Sequence, residues 1–151
     1  MGNRRRSREL ALQALFYMDM IRNDAMDVLL DRFCEHFKPS SQALPFFLEL
    51  VKGVMRSRLE IDAVIERFSS NWKLGRMPCV DRNIMRIAVY ELIYCHDIPY
   101  KVSINEAIDI GKKFGTEESG SFINGILDSI RKSLETEGID FEVDISTNEA
   151  K

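Results

Sequence analysis

Four arginines near the amino terminus are the side chains whose type and spacing most directly suggest a chemical role. Arg4, Arg5, Arg6 and Arg8 stand against one acid, Glu9, so residues 1–10 have a net charge of +3 although the whole chain has −3. Such a compact guanidinium group is suited to a phosphate backbone. The alternative is a solvated helix start without a ligand. Basic residues at a helix amino terminus oppose the helix dipole, which favours the functional interpretation.

Metal and covalent chemistry are disfavoured by the spacing of the other reactive side chains. His36 and His96 lie near Cys34 and Cys95, but Cys95 and His96 are adjacent, whereas structural zinc ligands are typically roughly two to four residues apart. No serine or cysteine is paired with a histidine at a recognisable nucleophile turn, and the sequence has no glycine-rich phosphate loop. We therefore expect no metal or other cofactor, and a binding protein rather than an enzyme.

Two further features could contribute to binding. Arg82 and Arg86 lie one helical turn apart within the otherwise apolar segment 80–95, and Ser119, Gly120 and Ser121 form a run of small residues. Together with the amino-terminal arginines, these features favour a protein that acts by contact with a partner.

The elements that must position these groups are predicted to be helical. The 151 residues are 45% hydrophobic and include only 8 Gly and 4 Pro, which favours an all-α fold. Apolar residues recur at helical spacing in about seven segments. These segments cover residues 8–21, 24–37, 42–54, 59–68, 80–95, 103–114 and 117–130.

Three helix starts carry residues typical of amino-terminal caps. Asp24 and Thr116 each precede an apolar periodic segment, and Ser103 with Glu106 has the spacing of a capping box. The segment 80–95 is apolar on nearly all sides, so we expect it to be the central helix of the fold.

The carboxyl-terminal residues follow a different pattern. From Thr136 onward apolar and acidic residues alternate, and residues 135–151 have a net charge of −5. Because no other strand is predicted, we expect residues 136–151 to form a flexible acidic tail. The odd number of cysteines, three, favours a reducing compartment, and no apolar run approaches the roughly 18 residues of a membrane span. We therefore expect a cytoplasmic protein with no membrane association.

Four blocks of sequence carry a family likeness. They are RRRSRELALQAL at residues 4–15, DRNIMRIAVYEL with IPYKVSINEA between residues 81 and 107, KKFG at 112–115 and FINGILD at 122–128. In this order and spacing they resemble the NusB family of transcription antitermination factors. The likeness covers roughly residues 3–134.

The resemblance implies an all-helical fold of two small packed bundles. It also implies a protein that binds boxA-type single-stranded RNA together with the ribosomal protein NusE, and thereby reaches the RNA polymerase elongation complex indirectly. Transcription of ribosomal RNA operons would then be processive. Residues 1–135 would form one domain, with subdomains of about residues 1–70 and 71–135.

The resemblance further implies two sets of binding residues. The RNA-binding set is Arg4, Arg5, Arg8, Glu118, Ser119 and Phe122. The NusE surface would lie on the second bundle, and its charged candidates, the NusE-binding set, are Asp81, Arg82, Arg86 and Glu91. Phe122 would stack on a base, although helical periodicity alone favours a core position for this side chain. For the charged residues the alternative is ordinary helix solvation and ion pairing.

Two other functions fit the same residues. The chain could be a helical protein–protein interaction module whose basic end only aids solubility, or a homodimer that hides its RNA-binding face. Salt-dependent RNA binding that requires the arginines separates the first from the RNA-binding function. Sedimentation at several concentrations separates the second.

Overall fold

Seven α-helices make up the fold, and the described part of the chain contains no strand. The structure is a computed structural model that describes residues 2–21, 24–69 and 73–137. The all-α prediction with about seven helices is confirmed. The helices are α1 (Gly2–Met20), α2 (Met26–Phe37), α3 (Leu44–Arg56), α4 (Arg58–Phe68), α5 (Cys79–Tyr94), α6 (Tyr100–Phe114) and α7 (Ser119–Glu137), and a 3-10 turn, Leu74–Arg76, precedes α5.

Helix α5 lies at the centre, as its apolar sequence predicts. It packs against α1, α3, α4, α6 and α7. Its side chains are buried around most of the circumference, including Met85, Val89 and Ile93. The predicted NusE-binding residues all lie on α5. Asp81, Arg86 and Glu91 are buried there and Arg82 is half-buried, which determines their roles below.

The amino-terminal and carboxyl-terminal halves pack as two groups that share α5. Helix α1 packs mainly against α3 and α5, whereas α6 packs against α5 and α7. Helix α4 contacts α5 and α7 more extensively than it contacts α3. The bend at Ser57, between α3 and α4, directs the chain from the first group to the second.

Gly53 allows α3 to lie close to α5. A Cβ atom at this position would collide with the Tyr90 ring on α5. Both residues are buried. The absence of a side chain at position 53 is therefore what permits the Tyr90 ring to occupy the α3–α5 interface.

The predicted capping box at Ser103 is wrong. Helix α6 begins one turn earlier, at Tyr100 after Pro99, so Ser103 and Glu106 lie inside the helix. Their side chains bind residues of α1 and α5 instead of the local backbone. Contacts with other helices, a hydrogen bond for Ser103 and an ion pair for Glu106, have replaced the local cap.

The predicted end of α2 is confirmed, whereas the predicted caps at Asp24 and Thr116 are wrong. Helix α2 stops at Phe37, with Lys38 in a left-handed conformation (φ 48°) before Pro39. Asp24 does not cap α2, because Ala25 is the N-cap and the Asp24 carboxylate accepts a hydrogen bond from Arg32. At α7 the Ser119 hydroxyl accepts a hydrogen bond from the Thr116 backbone N–H, so Thr116 and the acids that follow it precede the helix.

The predicted acidic tail lies largely outside the described residues. Helix α7 continues through residue 137, so residues 136 and 137 are helical rather than part of a tail. Residues 138–151 are not described. Among the described residues, none of the helices combines the length and apolarity that crossing a membrane requires.

Candidate nucleic-acid and protein interface

The arginine end of α1, residues 4–8, contains exposed and buried members. Arg4 and Arg6 have side chains that are 53% and 52% exposed. The Arg4 guanidinium lies 4.7 Å above the Phe46 ring and 3.8 Å from the Asp97 carboxylate. Both contacts are made by the guanidinium, yet more than half of the side chain remains exposed to solvent.

Arg5 is held by two carboxylates of α6. Its Nε donates to Glu106 Oε1 at 2.7 Å, and its Nη2 donates to Glu106 Oε2 and, at 3.0 Å, to Asp109 Oδ2. The hydrogen bond with Glu106 is the main reason why the pKa of Arg5 lies above its usual range and why the pKa of Glu106 is lowered. The side chain is 37% exposed, so a phosphate could reach it only in competition with these acids.

Arg8 is an interior residue. Its Nε and Nη2 donate to the two carboxylate oxygens of Glu91, each at 2.8 Å, and its Nη1 donates to Glu106 at 3.1 Å. Glu91 also accepts a 2.7 Å hydrogen bond from the Ser103 hydroxyl. Burial alone would lower the pKa of Arg8, but Glu91 and Glu106 together raise it. The buried cluster is fully charge-compensated and joins α1, α5 and α6.

The start of α7 forms a second candidate site. Pro78, Asp81, Thr116, Glu118, Ser119 and Phe122 line an open cavity of about 140 Å³. Phe122 is half-buried and Glu118 is exposed. Ser119 is completely buried, and its hydroxyl donates to Asp81 Oδ1 at 2.8 Å. The structure thus brings three predicted RNA-binding residues together with one predicted NusE-binding residue.

Asp81 connects the two predicted binding sets at the start of α7, as the Arg8–Glu91 pair does at α1. It lies on α5, is 4% exposed and faces the α7 start. Burial raises its pKa, an effect that the hydrogen bond from Ser119 partly opposes. A change at Asp81 therefore acts on the α7 start as well as on α5.

Arg82 and Arg86 belong to a third ionic cluster, centred on a residue that sequence analysis missed. Asp19, near the end of α1, accepts hydrogen bonds from Asn83 at 3.0 Å and Arg58 at 3.1 Å, and lies 3.4 and 3.3 Å from Arg82 and Arg86. Arg86 also forms a bidentate pair with Asp62 of α4, at 2.7 and 3.1 Å. The cluster joins α1, α4 and α5. Its only sequence signal is the i, i+4 spacing of the two α5 arginines.

An apolar groove lies beside these clusters. It has a volume of about 390 Å³, and Phe16, Met20 and Phe37 leave 38%, 69% and 43% of their surfaces exposed along it. Gln13 lines the groove, and its Oε1 is buried with no hydrogen-bond partner in the described part of the chain. The full lining is Leu12, Gln13, Phe16, Tyr17, Met20, Phe33, Phe37, Val80 and Phe114.

The described residues contain no grouping of three or more His, Cys, Asp or Glu side chains that could hold a metal ion. Cys34, Cys79 and Cys95 are free thiols, and burial raises the pKa of each. For Cys95 the pKa is about 12. A raised pKa disfavours the thiolate, which is the reactive form.

The fold and these surfaces define a helical binding protein. Buried ion pairs join its helices, and its surface presents exposed arginines, an aromatic edge and an apolar groove. Comparison with known sequences gives the family. The NusB family model matches residues 5–132, and the chain belongs to the NusB family.

Similar proteins cover most of the chain. The transcription antitermination protein NusB of Desulfatibacillum aliphaticivorans is 59% identical over 134 residues, which are 89% of this chain and 93% of the relative. The Myxococcus xanthus protein of the same name is 47% identical over 137 residues, with coverages of 89% and 98%.

Solved structures agree with this relationship. T. maritima NusB is 39% identical with a TM-score of 0.78, over 85% of this chain and 90% of that one. A structure of the antitermination factors NusB and NusE in complex with double-stranded RNA contains a chain that is 28% identical, with a TM-score of 0.78 and coverages of 88% and 98%.

Proposed function

We propose that this protein is a transcription antitermination factor that binds boxA-type single-stranded RNA together with NusE. The observation that carries the proposal is the 59% identity, over 89% of the chain, to a protein named for transcription antitermination. A relative that forms a complex with NusE and RNA supports the choice of partners. The protein acts by binding, without catalysis, in the bacterial cytoplasm where transcription takes place.

The exposed arginines are the groups that contact RNA phosphates. Arg4 and Arg6 offer accessible charge, and Arg5 contributes when a phosphate competes with Glu106 and Asp109. Arg8 acts differently, because its guanidinium is buried and fully occupied by carboxylates. It is a positioning residue that sets the orientation of the first turns of α1.

The edge formed by Glu118, Ser119 and Phe122 contacts the bases. The half-buried Phe122 ring offers a face for stacking, and the exposed Glu118 carboxylate can accept hydrogen bonds from base amino groups. The buried Ser119 holds this edge against Asp81 without reaching a ligand itself. Base contacts of this kind supply sequence preference, whereas phosphate contacts supply affinity and orientation.

NusE binds over the apolar groove and the adjoining start of α5. The groove exposes Phe16, Met20 and Phe37, an apolar surface of the kind that a protein partner covers. Asp81 lies next to Val80 of the groove lining. Arg82, Arg86 and Glu91 do not contact NusE themselves, because Arg86 and Glu91 are nearly completely buried and Arg82 is largely so. Their ion pairs join α5 to α1.

The test is a fluorescence anisotropy titration with three labelled probes, each with and without NusE, over a series of salt concentrations. The probes are a boxA-type single strand, its scrambled control and a double-stranded RNA, because the related complex contains a double strand. We expect preferential binding of the boxA strand that NusE strengthens, with a salt slope of about −0.7 per phosphate contact. Equal affinity for all three probes, unchanged by NusE, would contradict the proposal. Sedimentation at several concentrations reports whether a homodimer competes with NusE.

A further inference from the structure

The two parts of the proposed RNA site are separate elements of the chain. One part is the arginine end of α1, and the other is the α7 edge at Phe122. The last turn of α6 lies between them and contributes Lys112 and Lys113, neither of which belongs to the binding residues inferred from sequence. Both lysines are exposed. Each one contacts a different part of the proposed site.

Lys113 reaches the arginine end of α1. Its Nζ donates to Glu9 Oε2 at 3.0 Å. The other carboxylate oxygen of Glu9, Oε1, lies 3.8 Å from the Arg6 guanidinium. Glu9 is only 7% exposed, whereas the Lys113 side chain is 60% exposed. The Glu9 carboxylate therefore holds two exposed cations, one from α1 and one from α6, at the same location.

Lys112 reaches the α7 edge. Its Cε and Cγ atoms would lie 3.1 and 3.3 Å from a Cβ atom built on Gly120, so its aliphatic stem lies directly on the glycine. Gly120 is buried beneath it, two residues before Phe122. Ion pairs in the described part of the chain include none with Lys112. The ammonium group is therefore available to a ligand anion.

We propose that Lys112 and Lys113, here called the lysine pair, bind consecutive phosphates of the RNA and connect the arginine end of α1 to the Phe122 edge. This inference rests on the proposed function and extends its binding site. Lysine ammonium groups act as point charges, so the lysine pair contributes affinity and direction to the strand without reading its sequence. A cationic track beside an aromatic stacking residue is the arrangement by which proteins hold single strands.

The test compares the Lys112→Gln, Lys113→Gln and doubly substituted proteins with the wild type, as full chains with NusE present. Affinity for a fluorescein-labelled boxA-type single strand and for its scrambled control is measured by anisotropy between about 50 and about 200 mM salt. We expect the magnitude of the salt slope to fall by about 0.7 for each lysine, equally for both RNAs. A decrease confined to the boxA strand would overturn the proposed phosphate role.

Lys132→Gln is the matched control for charge. Lys132 is 65% exposed and pairs with Asp128 at 3.1 Å, values close to the exposure of Lys113 and its distance from Glu9. It lies on α7, about three turns beyond Phe122 and away from the proposed site. We expect its salt slope to equal that of the wild type. Equal slopes for Lys132→Gln and the double lysine variant would overturn the inference.

A wild-type protein that binds neither RNA would overturn the proposed function itself, whereas normal wild-type binding with an unchanged slope in the double lysine variant would overturn only the lysine pair.

Discussion

Arg8 and Glu91 form a bidentate ion pair in the interior of the protein, with two 2.8 Å hydrogen bonds between side chains that are 3% and 1% exposed. The pair joins the first helix to the central helix. The orientation of the exposed arginines on α1 therefore depends on a charge pair that itself has no access to solvent.

Removal of one partner from this pair should destabilise the fold. We expect Arg8→Ala to lower the free energy of unfolding by about 3–5 kcal/mol, because Glu91 would remain buried without its counter-charge. Urea denaturation measures the change. A loss below about 1 kcal/mol would contradict this assignment of Arg8 to the interior.

A doubly substituted protein separates the structural role of Arg8 from a role in RNA binding. Well-packed apolar side chains can replace a buried ion pair with little loss of stability, so Arg8→Met combined with Glu91→Met should recover most of the stability lost in Arg8→Ala. We expect the recovered protein to bind RNA with the wild-type salt slope. A slope reduced by about 0.7 would instead identify Arg8 as a phosphate contact.

Arg4 should show the opposite behaviour. It is exposed, so Arg4→Ala is expected to change the free energy of unfolding by at most about 0.5 kcal/mol. The RNA salt slope should fall in magnitude by about 0.7. Arg32→Ala on α2 is the control, since Arg32 is 55% exposed and also pairs with an exposed acid. The same decrease in both variants would indicate a general charge effect and contradict a contact at Arg4.

The Asp19 cluster predicts a pH-dependent stability. Burial raises the pKa of Asp19, but the hydrogen bond from Asn83 and the charges of Arg86, Arg58 and Arg82 outweigh it and leave the pKa below its usual range. Stability from a carboxyl of this kind is fully present above its unfolded pKa, about 3.9, and is lost as the pH falls through the lower folded pKa.

We therefore expect Asp19→Asn to lower the free energy of unfolding by about 3 kcal/mol at neutral pH, where the arginines lose a buried counter-charge. The difference from the wild type should shrink in acid as Asp19 itself becomes protonated. Urea denaturation at a series of pH values gives both quantities. A difference that is independent of pH would show that the charge of Asp19 is not the stabilising property.

Compared with ionisation of Asp19, ionisation of Asp81 should have the opposite effect on stability. Burial raises its pKa, so the ionised carboxylate at neutral pH opposes folding even though it accepts the Ser119 hydrogen bond. Asp81→Asn keeps an acceptor for Ser119 and removes the charge, so its melting temperature should exceed that of the wild type at neutral pH. This advantage should decline as the pH falls below the raised folded pKa of Asp81 and vanish below the unfolded pKa, about 3.9. Asp81→Ala, which removes the acceptor as well, should melt below Asp81→Asn.

Gly53 and Gly125 form a matched pair for packing. A methyl group at position 53 collides with Tyr90, so Gly53→Ala should lower the free energy of unfolding by about 1–3 kcal/mol. Gly125 lies in a helix with open space around it, and Gly125→Ala should raise stability by up to about 1 kcal/mol through helix propensity. Thermal denaturation of both variants tests the contrast.

The helical fold could be predicted from sequence because periodicity and helix breakers are local properties of the chain. The divided roles of the arginines could not be predicted in this way. Arg4, Arg8 and the buried Leu12 follow one another at intervals of four residues and share one face of α1, yet Arg4 is exposed and Arg8 is buried. The ion pair of Arg8 with Glu91 on α5, a contact across 83 residues, is what separates the two.

Contacts between distant segments could not be predicted in the same way. Ser103 and Glu106 have the spacing of a capping box, yet their partners are Glu91, Arg5 and Arg8 on other helices. Asp19 is likewise a single acid near a helix end, and its partners lie 39 to 67 residues further along the chain. Only the packing of the helices identifies such a residue as the centre of a cluster.

The ion pairs of Arg8 also set an order for events during synthesis. Glu91 and Glu106 are made 83 and 98 residues after Arg8, so α1 has no counter-charges for this side chain when it leaves the ribosome. At about 5–20 residues per second, some 5–20 s pass before both acids exist. The arginine end of α1, although translated first, thus takes up its final orientation only after α6 has been made.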